Sequence, residues 1–316
     1  MARRFIGAQQ TTVFSPVVLR GKGVHSGAPA SIVLLPAEAD TGVLFRRIDG
    51  DQTTEIAAEV ANVENVTLCT ILGDGNGGMV ATVEHLLAAL RGLCVDNVIV
   101  EIDSGEVPIM DGSSGDFVDA IDAIGIRELD APRKFIKVLK TVRVEEGDCW
   151  GELTPHSGFY LDVEINFETP AIGRQRRAYE MSPGVFRAEL SRARTFGFMK
   201  DVEALWAAGR ALGSSLDNTV AIGDDKVVNP EGLRYEDEFV RHKMLDAVGD
   251  LALAGRPLLC AYRSSRGGHR LNSLMLKALF ADADAWTLVE LPRVRQTGRA
   301  SMQMGSAAVN YAADRT

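Results

Sequence analysis

One succession of elements occurs twice in this chain, and that repeat narrows the folds open to it. Residues 84–92 read as a helix carrying His85, followed by a buried strand (95–102), a loop and a second helix around FVDAIDAIGI. The same series returns with a helix at 238–254 carrying His242, a buried strand at 257–263, a loop and a helix from His269. Each copy comes after strand-like stretches, such as VFSPVVLRG and ASIVLLPA in the first half and WGELTPH and FYLDVEINFE in the second. A sheet must bury one face against another layer. The reading is therefore α+β, with two duplicated two-layer domains whose helix layers face each other. ELDAPRK (128–134), with its proline and clustered charge, is the expected boundary, giving domains 1–130 and 131–316.

The helix EFVRHKMLDAVGD spaces His242, Asp246 and Asp250 four residues apart, so they form one polar seam. Met244, Leu245, Val248 and Leu251 fall on other faces and anchor the helix. Taken alone, such a seam is more simply a solvated ion pair on a helix surface. Glu84 and His85 open the earlier helix, where a carboxylate also suits the helix dipole with no further role. If the helix layers face each other, His85 meets His242 and Asp246 at the interface, where ligand sites concentrate. Two imidazoles and a carboxylate suit zinc and leave a fourth position open; iron(II) accepts the same set. Glu84 is then a free carboxylate placed to take a proton. His269, after the SSRGG loop, is a candidate oxyanion donor, and Asp250 could hold it charged or could serve only helix solubility.

The net charge of -9 and pI near 5.2 argue against a nucleic-acid binder, which needs a basic face. No apolar run approaches the length of a membrane span, and MARRFIGAQQTT lacks the apolar core of a secretory signal. Cys69, Cys94, Cys149 and Cys260 form no C-x-x-C pair, which disfavours a disulfide framework and a thiolate zinc site and points to a cytoplasmic location. His25, in the GVHSG turn, reads as a loop residue, and Cys69 as a small buried hydrophobe. The densest basic run, Arg174, Arg176 and Arg177, has no assigned contact, and the tail from about 293 reads as loosely ordered.

The stretches GKGVHSG, PAEADTGVLFRR, TVEHLLAAL, DNVIVEID, EVPIMDGSS, SRARTFGF, EGLRYEDEFVRHKMLDAVGDL and GHRLN occur in order from about residue 16 to 280. Together they resemble the UDP-3-O-acyl-N-acetylglucosamine deacetylases, zinc amidases of lipid A biosynthesis. The resemblance implies His85, His242 and Asp246 as zinc ligands and Glu84 as general base. It implies His269 and Thr195 as stabilisers of the oxyanion, Asp250 as the residue orienting His269, and Lys243 as a substrate contact. It also implies two β-α-α-β domains, with an insert at about 196–222 forming an apolar passage for the acyl chain. Phe196 would line that passage, Phe167 would meet the uracil, and Arg266 the diphosphate. The implied partner is a UDP-linked acylated amino sugar, and an apolar opening would bring the chain transiently to the inner membrane without anchoring it. Two rivals stand beside this reading: a nucleotide-sugar binding protein with a structural metal, and an amidase for another N-acyl substrate. The second predicts that the apolar residues of 196–222 are fully buried.

Overall fold

The computed structural model describes residues 7–290. Alternation shapes its strands: Val98, Val100 and Ile102 are buried, while Ile99 and Glu101 are partly exposed. Strand Val98–Ile102 lies at the centre of a five-stranded sheet, antiparallel to Pro29–Pro36 and parallel to Val43–Asp49. Val17–Lys22 and Gln52–Ala57 complete the edges as hairpin partners. Leu258–Ser265 has the equivalent setting in a seven-stranded sheet, antiparallel to Cys149–Pro155 and parallel to Phe159–Asn166. Those two strands likewise have hairpin partners, Val142–Glu146 and Arg174–Glu180. Both central strands follow a His-bearing helix, so the two sheets share one connectivity, and the fold is α+β.

The helices Glu84–Gly92 and Glu238–Leu251 pack on each other. Eight of nine residues of the first and thirteen of fourteen of the second are buried, as only a layer covered on both sides allows. Gly249 permits the contact, because a Cβ there would lie 2.0 Å from the carbonyl oxygen of Glu84. Glycine costs helix propensity, but here it lets one backbone touch the other.

Several local expectations change. ELDAPRK, the expected boundary, includes the end of a strand, Ile126–Pro132, antiparallel to Gln9–Val13. Proline is tolerated there because it ends the strand. Within residues 196–222 the only α-helix spans Val202–Ala207, and Gly209, with φ +69°, turns the chain after it. Its flanking strands Phe196–Phe198 and Val220–Gly223 pair in parallel, and Lys226–Val227 extends this small sheet. The basic run lies on strand Arg174–Glu180 and forms ion pairs: Arg174 with Glu164, Arg176 with Asp162 and Arg177 with Asp237. Asp162 is thereby buried on a strand whose alternation would have exposed it. Trp286–Glu290, which carried no sequence expectation, pairs with Lys134–Val138. The tail from about 293 lies outside the described residues.

Gly249→Ala should lower stability by about 1–3 kcal/mol, the usual cost of overpacking, although alanine is the better helix former. Urea unfolding measures this; a wild-type midpoint would show that the helices yield without cost.

Candidate active site

His85 and His242 face each other edge to plane, with ring centres 5.0 Å apart. Their Nε2 atoms lie 3.6 and 3.4 Å from Oδ1 of Asp246. That oxygen is buried and has no hydrogen-bond partner. One donor atom from each of the three residues falls within 4.8 Å of the others. An orphaned buried carboxylate oxygen is costly, and here it faces two imidazole nitrogens. The N2O set and its spacing fit a divalent cation. One of these candidate ligands is also aimed from behind: Nδ1 of His242 donates to the carbonyl of Ala193 (3.0 Å), leaving Nε2 free. Lys243 Nζ donates to the second oxygen of Asp246 at 2.7 Å.

Burial pushes His242 down to about 3, so it is neutral at physiological pH. Burial alone would raise Asp246, but His242 and Lys243 outweigh it and hold the carboxyl well below its ordinary value. The Lys243 ammonium and the charged His269, whose Nε2 lies 4.0 Å from Oδ2, both favour the ionised carboxylate.

Glu84 starts its helix beside His85 and is almost fully buried, which raises its carboxyl above the ordinary range. Its Oε2 accepts the Thr70 amide at 3.0 Å, and its Oε1 lies 3.9 Å from Nε2 of His269. Nδ1 of His269 bonds Oδ2 of Asp250 at 2.9 Å. Burial works against a charged His269, but Asp250 prevails and lifts it to about 9. Asp250 in turn accepts from the Thr70 hydroxyl at 2.7 Å and Asn272 at 2.8 Å. Tyr262 donates to Asn272 at 2.6 Å, so the imidazolium rests on a connected polar network.

Glu84, His85, His242, Lys243, Asp246 and His269 line a cavity of about 590 Å³. Thr195, Phe167, Phe196, Phe198, Val202 and Trp206 line the same cavity. Phe196 packs on Phe167 and Phe239 and lies 5.6 Å from the Lys243 ammonium. Trp206 remains 54% exposed, so this wall opens to solvent. Arg266 is not on the wall of this cavity: its guanidinium faces Asp148 at 3.5 Å, and its backbone, at φ +57°, bonds the carbonyl of Glu164.

The structure adds residues that sequence reasoning left aside. His25 lines the cavity. Glu106 fixes its turn by accepting the amides of His25 and Ser26 and the hydroxyls of Ser26 and Thr82. Thr82 has φ +58°, a strained value for a β-branched residue, two residues before Glu84. Arg194, 2% exposed, binds Glu238 and the carbonyl of Gly232, which fixes Ala193 and Thr195 on either side of it. Thr70 ties Glu84 to Asp250. None of these links has a sequence spacing that announces it.

The family model for UDP-3-O-acyl N-acetylglycosamine deacetylase matches residues 10–281. The UDP-3-O-acyl-N-acetylglucosamine deacetylases of Brucella ovis and Brucella canis are each 55% identical over 286 residues, 90% of this chain and the whole of each relative. The Brucella melitensis biotype 2 protein of the same name is 54% identical over the same span. With most of its length matched in this way, the chain belongs to the UDP-3-O-acyl-N-acetylglucosamine deacetylase family.

Proposed function

We propose that this chain removes acetate from the 2-N-acetyl group of a UDP-3-O-acyl-N-acetylglucosamine, a step of lipid A biosynthesis. The observation that carries the reading is the convergence of His85, His242, Asp246, Glu84 and His269 on one cavity in a member of this family. His85, His242 and Asp246 would hold zinc, or iron(II), which supplies Lewis acidity when bound. Glu84 takes the proton of the attacking water, and its raised basicity suits that task. His269, charged at neutral pH, and the Thr195 hydroxyl donate to the oxyanion, and the amine leaves protonated as the C–N bond breaks. Asp250 holds His269 in place and charged. Lys243 helps keep Asp246 ionised and reaches toward the substrate from beside Phe196.

Along the same cavity, Phe196, Phe198, Val202 and Trp206 give an acyl chain an apolar path, and Phe167 offers a ring edge for the uracil. The exposure of Trp206 disfavours the rival amidase, which requires the 196–222 residues to be sealed. With this reading go a division of the chain near residue 130 and a reducing, cytoplasmic setting with transient approach to the inner membrane. All four cysteines are free, and among the described residues no helix is long and apolar enough to cross a membrane.

Acetate release from UDP-3-O-acyl-N-acetylglucosamine tests the proposal, and no release by metal-replete protein would sink it. Chelation should abolish turnover, and added zinc should restore it. Glu84→Ala should keep its metal and lose about 10²–10⁴-fold in kcat; near-wild-type turnover would remove Glu84 as the base. Asp246→Ala should instead lower metal content, read by elemental analysis.

The pH profile separates His269 from Glu84. A histidine raised from its ordinary value of ~6.5 to about 9 is fully charged below the first value and loses its proton through the second. Activity that needs the charge should therefore fall as pH rises through about 9. Asp250→Asn should move that alkaline limb toward ~6.5. An unmoved limb would assign it to another group.

A further inference from the structure

A second cavity, of about 70 Å³, lies at the far end of helix Glu84–Gly92 from Glu84 and His85. Phe135, Phe159, Met181, Val248, Leu251 and Leu258 give it apolar walls, and two guanidiniums, Arg91 and Arg133, reach it. Arg133 is 2% exposed and doubly committed, with Nε on Asp96 at 2.8 Å and Nη2 on the carbonyl of Cys94 at 2.6 Å. Arg91 is not. Its Nη1 is sealed from solvent with no hydrogen-bond partner, and the nearest carboxylate oxygen, again of Asp96, stands 4.0 Å away. Both oxygens of Asp96 are already taken, by Arg133 and by the amide and hydroxyl of Thr11.

Two guanidiniums, Arg133 buried and Arg91 partly exposed with Nη1 sealed, thus share one carboxylate, and no other carboxylate lies within 4.0 Å of either among the described residues. Burial and the nearby Arg133 charge lower Arg91 from its ordinary value, against the pull of Asp96. The last-turn position of Arg91 recovers a little through the helix dipole, but provides Nη1 with no acceptor. A sealed guanidinium nitrogen without an acceptor is costly unless a ligand supplies one. Inorganic ions meet the charge but waste the apolar walls. The volume is about twice a water's share of the liquid (~30 Å³), the size of a carboxylate with two or three carbons.

We propose that this cavity is a binding site for a short-chain monocarboxylate such as acetate or propionate, with the carboxylate on Arg91 and the alkyl end among Phe135, Val248 and Leu251. The inference is independent of the proposed reaction. Occupancy links the ends of the two central helices, so it should stabilise the fold.

The test uses the full chain, metal-loaded except in Asp246→Ala, at constant ionic strength. Propionate should raise the melting temperature saturably, by about 3 °C at ten times its Kd, while propionamide and chloride should not. Arg91→Met should abolish the shift, and Asp246→Ala should preserve it. Cys94 lies on the cavity wall and is half-buried. Propionate should therefore slow its alkylation by iodoacetamide in the wild type, followed by peptide mass spectrometry, a readout that needs no variant to fold. An equal response to chloride would reduce the site to an inorganic-ion contact. Loss of the shift in Asp246→Ala, or an unchanged Cys94 rate, would place the carboxylate elsewhere and overturn the proposal.

Discussion

The contact between Gly249 and the backbone of Glu84 is the constraint on which the site depends. Asp246 and Asp250 lie on either side of Gly249 in the seam helix, and His85 follows Glu84 on the other. Close approach therefore sets the ligand spacing and the distance from Glu84 to His269 together. A bulkier residue at the crossing would move both. The two sheets supply what such an approach requires, because buried helices with this much polar surface stay together only when apolar layers cover them from outside.

The polar groups enclosed by that contact are satisfied, with two telling exceptions. Asp250 has three donors, Thr70, Asn272 and His269, and Glu238 has Arg194 and the Arg234 amide. By contrast, Oδ1 of Asp246 and Nδ1 of His85 have no hydrogen-bond partner. Native interiors rarely leave such groups unpaired. Where the rest of a network is complete, an orphan at the meeting point of three potential ligands is best explained by a cation.

What was legible in the sequence was whatever repeats within one element. The four-residue spacing of His242, Asp246 and Asp250 is a helix property, and the VIVEI alternation is a strand property. The pairing of the two halves was legible because the element order recurs. Contacts between distant segments left no such trace. Thr70 and Asp250 are 180 residues apart, and a threonine in a strand-rich stretch carries no sign of that bond. His25 was read as a loop residue because its turn is glycine-rich; Glu106, which brings that turn to the cavity, lies 81 residues on. The basic run had no assigned contact because sequence shows charges without their cross-strand partners. For Arg266, position before GGH says nothing about side-chain direction, which the left-handed backbone turns toward Asp148.

Charge balance along helix Glu84–Gly92 joins the two cavities in one physical picture. Near its start, Glu84, Asp246 and Asp250 face the charged His269 and Lys243, so carboxylates outnumber cations by one. At its end, Arg91 and Arg133 outnumber Asp96 by one. Each excess lies where the helix dipole tolerates its sign, negative at the amino end and positive at the carboxyl end. The dipole is worth only about half a charge at either end, so it lessens each imbalance without removing it. What remains is a demand for a cation among His85, His242 and Asp246, and for an anion beside Arg91. The two demands differ in what surrounds them: nitrogen and oxygen donors in the first case, hydrocarbon in the second. A bare metal ion therefore suits one end, and an anion with an alkyl tail suits the other.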